Sequence, residues 1–245
     1  MSKFKVLFRM IKKRDPLLRF FLLQKIGALL MPSYRFHWPQ LSWWHNSIFN
    51  KYLERFDETH KNNTYRHWML SELLKLVSEL PGDSAECGVF KGASSFLICK
   101  GNLITSPNNV HHIFDSFKGL SEPTITDGSF WTFGDLACSL DEVKLNLAEF
   151  GESRLQFHPG WIPEKFVNIQ KIYFRFVHID VDLYEPTRDS LTFFYERMIS
   201  GGIILCDDYG FTSCPGATKA FDDFFIGKPE QIISLPCGGC FVIKK

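Results

Sequence analysis

"VHIDVDLYEPT", residues 177–187, is the stretch from which the rest of the chain is read. Apolar and aromatic residues surround two aspartates, Asp180 and Asp182, with one valine between them, and the run ends in Pro186-Thr187, as at a helix start. The residues leading into it, "IYFRFVHIDV" (172–181), have the length and apolar content of a central strand. A carboxylate leaving water must be paired, bound to a cation or neutralised. A buried strand that ends in carboxylates therefore points to the carboxyl edge of a parallel sheet, where ligands bind.

Working outward, strands and helices alternate. "DSAECGVF" (83–90) reads as a strand and "GASSFLICKG" (92–101) as the helix after it. "VHHIFDSF" (110–117) is a second strand, "LDEVKLNLAEF" (140–150) a helix, "RLQFHPGW" (154–161) a short strand and "PEKFVNI" (163–169) a short helix. Beyond the central strand, "EPTRDSLTFFYERM" (185–198) is a helix expected to close at Gly201-Gly202. "GIILCDDY" (202–209) is another central strand and "PGATKAFDDFFIG" (215–227) a helix. "QIISLP" (231–236) and "CFVIKK" (240–245) are strands joined by "CGG". This alternation predicts an α/β fold, a mostly parallel Rossmann-like sheet with helices on both faces and an antiparallel edge. A helix with apolar residues at Trp68, Leu70, Leu73, Leu74, Leu76, Val77 and Leu80 precedes it.

Two regions are expected: an N-terminal extension over residues 1–57 and a ligand-binding domain over 58–245. Lys3, Lys5, Arg9, Lys12, Lys13, Arg14, Arg19 and Lys25 crowd the extension, opposed up to Lys25 only by Asp15, with apolar residues between them. No apolar run is long enough to span a bilayer, and Lys25 interrupts what would be a signal-peptide core. The segment reads as a helix that packs on its own domain, contacts a second copy of the chain in a homo-oligomer, or lies on an anionic membrane surface. "MPSYRFHWPQLSWWHN" (31–46) shows no period and reads as an irregular packed segment or lid. The net charge of +1 gives no footprint for nucleic acid. Seven irregularly spaced cysteines read as reduced thiols, which predicts a cytoplasmic protein, peripheral at the inner membrane face if the N-terminus binds lipid.

Chemistry is expected at the strand ends. Glu86 closes the first strand, and Gly88 and Gly92 bracket a tight turn into a helix. The pattern is neither G-x-G-x-x-G nor a phosphate loop, so it suits a zwitterionic ligand better than a pyrophosphate. Asp115 ends the second strand, where a carboxylate can accept both hydroxyls of a ribose. Asp180, Asp207 and Asp208 end strands that read as neighbours. Three carboxylates in one dry place repel unless a cation neutralises them, and oxygen donors favour magnesium, manganese or calcium. Asp182, one strand period past Asp180, is expected on the same face but nearer solvent, placed to take a proton from a bound hydroxyl. Helix capping by Asp182 or Asp208 is the plainer alternative. Cys237 and Cys240 lack two further zinc ligands, and the glycines between them read as a hairpin turn. His178 reads as a satisfied core histidine, with assistance at the site as the alternative.

"ECGVFKGAS", "FDSFKGLSEPT", "FHPGWIPEKF", "HIDVDLYEPTRDSL", "GGIILCDDYG" and "PGATKAFDDF" together resemble the macrocin O-methyltransferase family, from about Thr64 to the C-terminus. The resemblance implies a class I methyltransferase sheet of seven strands with the last antiparallel. It implies S-adenosylmethionine and Mg2+ (or Mn2+) as cofactors and a sugar-containing acceptor. It places Glu86, Gly88 and Gly92 near the methionine part of the cofactor and Asp115 on its ribose, with Ser116 and Phe117 nearby. It places Thr64 and Tyr65 in a segment that closes over the cofactor, Asp180, Asp207 and Asp208 on the metal, and Asp182 as general base. The N-terminus through Asn50 and the loop "LACSL" (136–140) do not follow the family's antibiotic enzymes, which bears on the acceptor rather than on the chemistry. A glycosyltransferase using Asp180 and Asp182 as an Asp-x-Asp motif, and a catalytically silent scaffold on the same fold, are the competing readings.

Overall fold

The computed structural model describes residues 16–33, 35, 41–59, 61–105, 108–169 and 172–245. The basic residues before Arg19 lie outside them. The chain forms two compact units, residues up to Tyr52 and residues from Leu53 onward.

In the first unit, helix α1 spans Pro16–Leu30. Pro16 suits a first helical position, where the missing N–H has no partner in any case. Phe21, Leu22, Leu23, Ile26, Leu29 and Leu30 are all exposed along it. A 3-10 turn, Ser42–His45, follows, in which Trp43 meets Trp44 edge-on at 6.0 Å. Asn46 caps helix α2, Ser47–Arg55: its Oδ1 accepts from the backbone N–H of Ile48 and Phe49 at 3.1 and 3.0 Å.

The second unit is a seven-stranded sheet. Helix α3, Thr64–Leu76, leads into strand β1, Asp83–Cys87, and helix α4, Ala93–Thr105. Strand β2, His111–Asp115, a long loop, helix α5, Leu140–Leu147, and strand β3, Leu155–Pro159, follow. Then come strand β4, Phe174–Ile179, helix α6, Tyr184–Tyr195, strand β5, Met198–Cys206, and helix α7, Pro215–Phe225. The short strands β6, Ile233–Ser234, and β7, Cys240–Ile243, close the chain. The order across the sheet is β3-β2-β1-β4-β5-β7-β6. The first five strands are parallel, and β7 runs antiparallel to both β5 and β6. This is the expected α/β sheet. The Cys237–Cys240 segment is the hairpin turn, with Leu235 N–H bonded to Gly239 O at 2.9 Å, and all seven cysteines are free.

Every residue of β4 is buried. Val177 and Ile179 pack on one face with Phe194 and Phe221, and Phe176 packs on the other with Leu70 and Ile98. Two expectations change. Gly201 and Gly202 do not close a helix; α6 ends at Tyr195, and both glycines lie inside β5. There the register with β4 slips from Phe174↔Met198 to Phe176↔Ile203, and Gly201 at φ +83° supplies the left-handed residue that such an irregularity uses. The segment after β3 is a 3-10 turn, Glu164–Asn168, rather than an α-helix.

His158 is buried flat against Phe114, ring centroids 4.3 Å apart, and its Nε2 meets His112 Nδ1 at 3.2 Å. Burial, with the nearby His112, lowers its pKa from 6.5 to about 4. Between these values the unfolded chain binds more protons than the folded one, so stability falls as pH drops from about 6.5 to about 4. In thermal unfolding across that window, His158→Phe, which keeps the stack and removes the titration, is expected to lose less stability than the wild type.

Candidate active site

The carboxyl ends of β1, β2 and β4 open into a cleft. Gly88, Asp115, Ser116, Asp180 and Asp182 line it, with Phe90, Leu120, Leu136, Trp161 and Ile162 as its apolar wall.

The turn after β1 is built by close approach. Gly88 has φ +78°, and a Cβ there would stand 1.8 Å from the carbonyl oxygen of Asp180. Only glycine lets the turn pass this near the end of β4. Asp115 holds the same turn from the other side: its Oδ2 accepts from Val89 N–H at 2.8 Å and its Oδ1 from Phe117 N–H at 2.6 Å. A third backbone N–H, that of Phe90, also bonds this carboxylate, which leaves it acceptor capacity for one ligand hydroxyl. Burial raises the Asp115 pKa against these bonds. Ser116 Oγ donates to Gly119 O at 2.7 Å. Phe117, at φ +54°, turns the chain and is not on the cleft wall.

Other expected cofactor residues lie away from the wall. Gly92, at φ +83°, packs under Val143, where a Cβ would come to 3.3 Å. Thr64 Oγ1 donates to Glu58 O at 3.2 Å at the start of α3, and Tyr65 is half-buried beside it. Glu86 is fully buried and faces into the protein. One of its oxygens accepts from Ser95 Oγ, and the other lies 2.7 Å from His178 Nδ1. Burial opposes its ionisation, but hydrogen bonds from His111 and His178 outweigh that and lower its pKa.

The four aspartates divide into two sets. A ring nitrogen of His178 and one oxygen each of Asp180 and Asp207 lie within 4.8 Å of one another; so do ligand atoms of Asp182, Asp208 and Cys214. Asp182 is not one strand period beyond Asp180. β4 ends at Ile179, and Asp182 sits past it at φ +60°. It is buried, whereas Asp180 is half-buried, the reverse of the expectation. The cause is Asp208, whose Oδ2 accepts from the N–H of Val181 at 3.1 Å and of Asp182 at 2.8 Å and so bends the chain inward. Cys214 Sγ donates to Asp182 Oδ1 at 3.3 Å and in turn accepts from Trp131 Nε1 at 3.4 Å.

Charge in this region is out of balance. Burial would raise the pKa of Asp207, but the Arg66 guanidinium and the His178 imidazole outweigh it and lower it. Arg66 binds Asp207 Oδ2 and Asn63 Oδ1, and its guanidinium lies 5.0 Å from the Phe211 ring centre. Burial and then the Asp207 charge push Asp180 well up; burial and the Asp182 charge do the same to Asp208. Burial pushes Asp182 up to about 6, against its bond from Cys214. Burial would lower the pKa of His178, but Asp207 and Glu86 raise it well above its ordinary value. Carboxylates short of positive charge, all offering oxygen, suit a hard divalent cation; Asp180 and Asp207 lie together and could share one, whereas Asp208 falls in the other set, with Asp182 and Cys214.

The sequence offered no motif for Arg66, Trp131, Cys214 or Asp127. Asp127 is buried in the loop after β2, and its Oδ1 accepts from Tyr184 N–H at 2.6 Å, which ties that loop to the start of α6. An acidic residue inside the Thr-rich turn 124–127, with Thr124 Oγ1 2.8 Å from Asp127 Oδ2, was its one local signal.

A model of the macrocin O-methyltransferase (TylF) family matches residues 68–232. The chain belongs to this family. Among its relatives, the 8-demethyl-8-(2,3-dimethoxy-alpha-L-rhamnosyl)-tetracenomycin-C 4'-O-methyltransferase of Streptomyces olivaceus is 29% identical over 157 residues, 60% of each chain. The demethyldecarbamoylnovobiocin O-methyltransferase of Streptomyces niveus is 28% identical over 162 residues, 60% of this chain and 59% of that one. The matched part therefore spans about 60% of these relatives. The structure of the O-methyltransferase NovP superposes with a TM-score of 0.57 at 25% identity, over 72% of this chain and 79% of that one. The calicheamicin methyltransferase CalS11 has the same fold, with a TM-score of 0.67 at 17% identity over 94% and 93% of the two chains. Membership in the family leaves the Asp-x-Asp glycosyltransferase reading without support, and Asp180 and Asp182 fall in separate sets.

Gly88→Ala is expected to destabilise the protein by at least about 1–3 kcal/mol, since it forces a left-handed side chain against backbone. Urea unfolding measures this, and an unchanged midpoint would show that the turn can move aside.

Proposed function

We propose that this protein is a sugar O-methyltransferase that uses S-adenosylmethionine and a divalent cation. The observation that carries this is one cleft joining a glycine turn and a strand-end carboxylate, Gly88 and Asp115, to the buried carboxyl group of Asp182. The names of the two Streptomyces relatives support a glycosylated acceptor.

When bound, S-adenosylmethionine supplies a methyl group activated by its sulfonium. Asp115 takes a ribose hydroxyl with the acceptor capacity left by the N–H groups of Val89, Phe117 and Phe90. The apolar wall from Phe90 to Ile162 suits a purine and keeps water from the reacting atoms. Asp180 and Asp207 would hold Mg2+ or Mn2+, with Asp208 of the neighbouring set as a third carboxylate, and the cation would supply positive charge that makes an acceptor hydroxyl more acidic. Asp182 removes that proton. Burial raises the pKa of its carboxyl group, which makes it a stronger base than an exposed aspartate. Cys214 and the Asp208 bond to its backbone fix its position, and positioning supplies much of the rate.

With S-adenosylhomocysteine at about a hundred times its Kd, the Tm is expected to rise by roughly 5–11 °C. Asp182→Asn should keep that shift and lose roughly 10²–10⁴-fold in kcat on a sugar acceptor. Unchanged kcat would remove Asp182 from the role of base.

The N-terminal region has a role of its own in this reading: α1 lies on an anionic bilayer. No helix among the described residues is long and apolar enough to cross one. Yet α1 exposes Phe21, Leu22, Leu23, Ile26, Leu29 and Leu30, which lie around the helix rather than on one face, with no acidic residue and with Arg19 and Lys25 as cations that can snorkel to headgroups. Sedimentation with phosphatidylserine-containing vesicles is expected to carry the protein down, and Leu22→Glu with Ile26→Glu to leave it in solution. A wild type that stays in solution and elutes as a dimer would assign the exposed apolar residues of α1 to a second copy of the chain.

A further inference from the structure

One buried group in the site has no use in the chemistry above. Glu86 and His178 are partners across β1 and β4 in parallel register. His178 is 2% exposed and Glu86 0%, and Nδ1 of the ring lies 2.7 Å from Glu86 Oε1. An ionised carboxylate only accepts, so Nδ1 carries a proton and donates it. The other ring nitrogen, Nε2, makes no hydrogen bond of ordinary length; its nearest partner is the Asp207 carboxylate. A buried polar atom left in that state asks for an explanation. It faces the strand ends, 3.6 Å from Asp207 Oδ1, in the set that a ring nitrogen of His178 forms with Asp180 and Asp207 within 4.8 Å. A carboxylate on one ring nitrogen and an open position at the other is how proteins orient metal-binding histidines.

We propose that His178 Nε2 is a direct ligand of the cation held by Asp180 and Asp207, oriented by Glu86, and that this nitrogen makes the site favour Mn2+ over Mg2+. The inference rests on the metal-dependent reading above. Coordination replaces the Nε2 proton with the cation and releases that proton to solvent, while the Nδ1–H to Glu86 is kept. Imidazole is a poor partner for Mg2+, which takes oxygen and water, and a good one for first-row transition ions. Glu86 then has a structural reason to be buried away from the cleft, since it sets the tautomer and angle of a ligand.

Mn2+ bound to the full-length protein, read by pulsed electron paramagnetic resonance, decides the matter. Histidine nitrogen coupling is expected in the wild type and in His67→Gln, which removes the other histidine whose charge interacts with Asp207, and its loss in His178→Gln. The preference for Mn2+ over Mg2+, from competition titration, should fall at least about tenfold in His178→Gln, and Glu86→Gln should bind Mn2+ about 10–100-fold more weakly. Bound Mn2+ without nitrogen coupling, or coupling that survives His178→Gln, overturns the inference while leaving the metal reading intact. Mn2+ that keeps its free aquo-ion signal overturns both. If His178→Gln does not fold, the pair of wild type and His67→Gln still decides: coupling in both supports His178, and loss in His67→Gln overturns it.

Discussion

Parallel pairing of β1, β4 and β5 is the constraint on which the rest depends, because it brings more negative charge to one edge than the edge can neutralise. Once Glu86 pairs with His178 and His178 with Leu205, Asp180 and Asp207 must emerge side by side. The protein answers in part. Arg66 comes from α3, 141 residues away in sequence, to bind Asp207, and His178 stands between Asp207 and Glu86. What stays uncompensated shows in the raised pKa values of Asp180, Asp182 and Asp208. A domain whose net stability is small does not keep such a cost without a use for it. The use proposed here is a cation and a base.

The same edge explains the local backbone. Two left-handed residues meet there for different reasons. Gly88 needs a missing Cβ to clear Asp180, whereas Asp182 keeps its side chain and is held at φ +60° by the Asp208 carboxylate. Strain of this kind persists only where surrounding bonds over-determine it, and it gathers at functional sites. The loop after β2 is tied in twice, through Asp127 to the start of α6 and through Trp131 and Cys214 to Asp182. The loop after β2 is thus linked by hydrogen bonds to Asp182.

Much of this was legible in the amino-acid order. The alternation of strands and helices, the carboxylates at strand ends, the glycine turn and the hairpin at Cys237–Cys240 follow from period, burial and turn chemistry acting over a few residues. The errors share a cause. Asp182 was placed by extending the two-residue alternation of β4 past Ile179, where hydrogen bonds from Asp208 take over. Gly201-Gly202 read as a helix end because two glycines commonly stop a helix, and only the pairing with β4 shows that they serve a slip in register.

By itself, then, the sequence determined the α/β class, the ends at which chemistry gathers and the residue types available there, since these depend on local preferences and on the exclusion of charge from apolar strands. Only the tertiary structure decided how four aspartates divide between two sets, that Arg66, Cys214 and Trp131 join them, and that Glu86 turns inward to His178. Those facts depend on side-chain directions and on partners far apart in the chain, which no local pattern encodes.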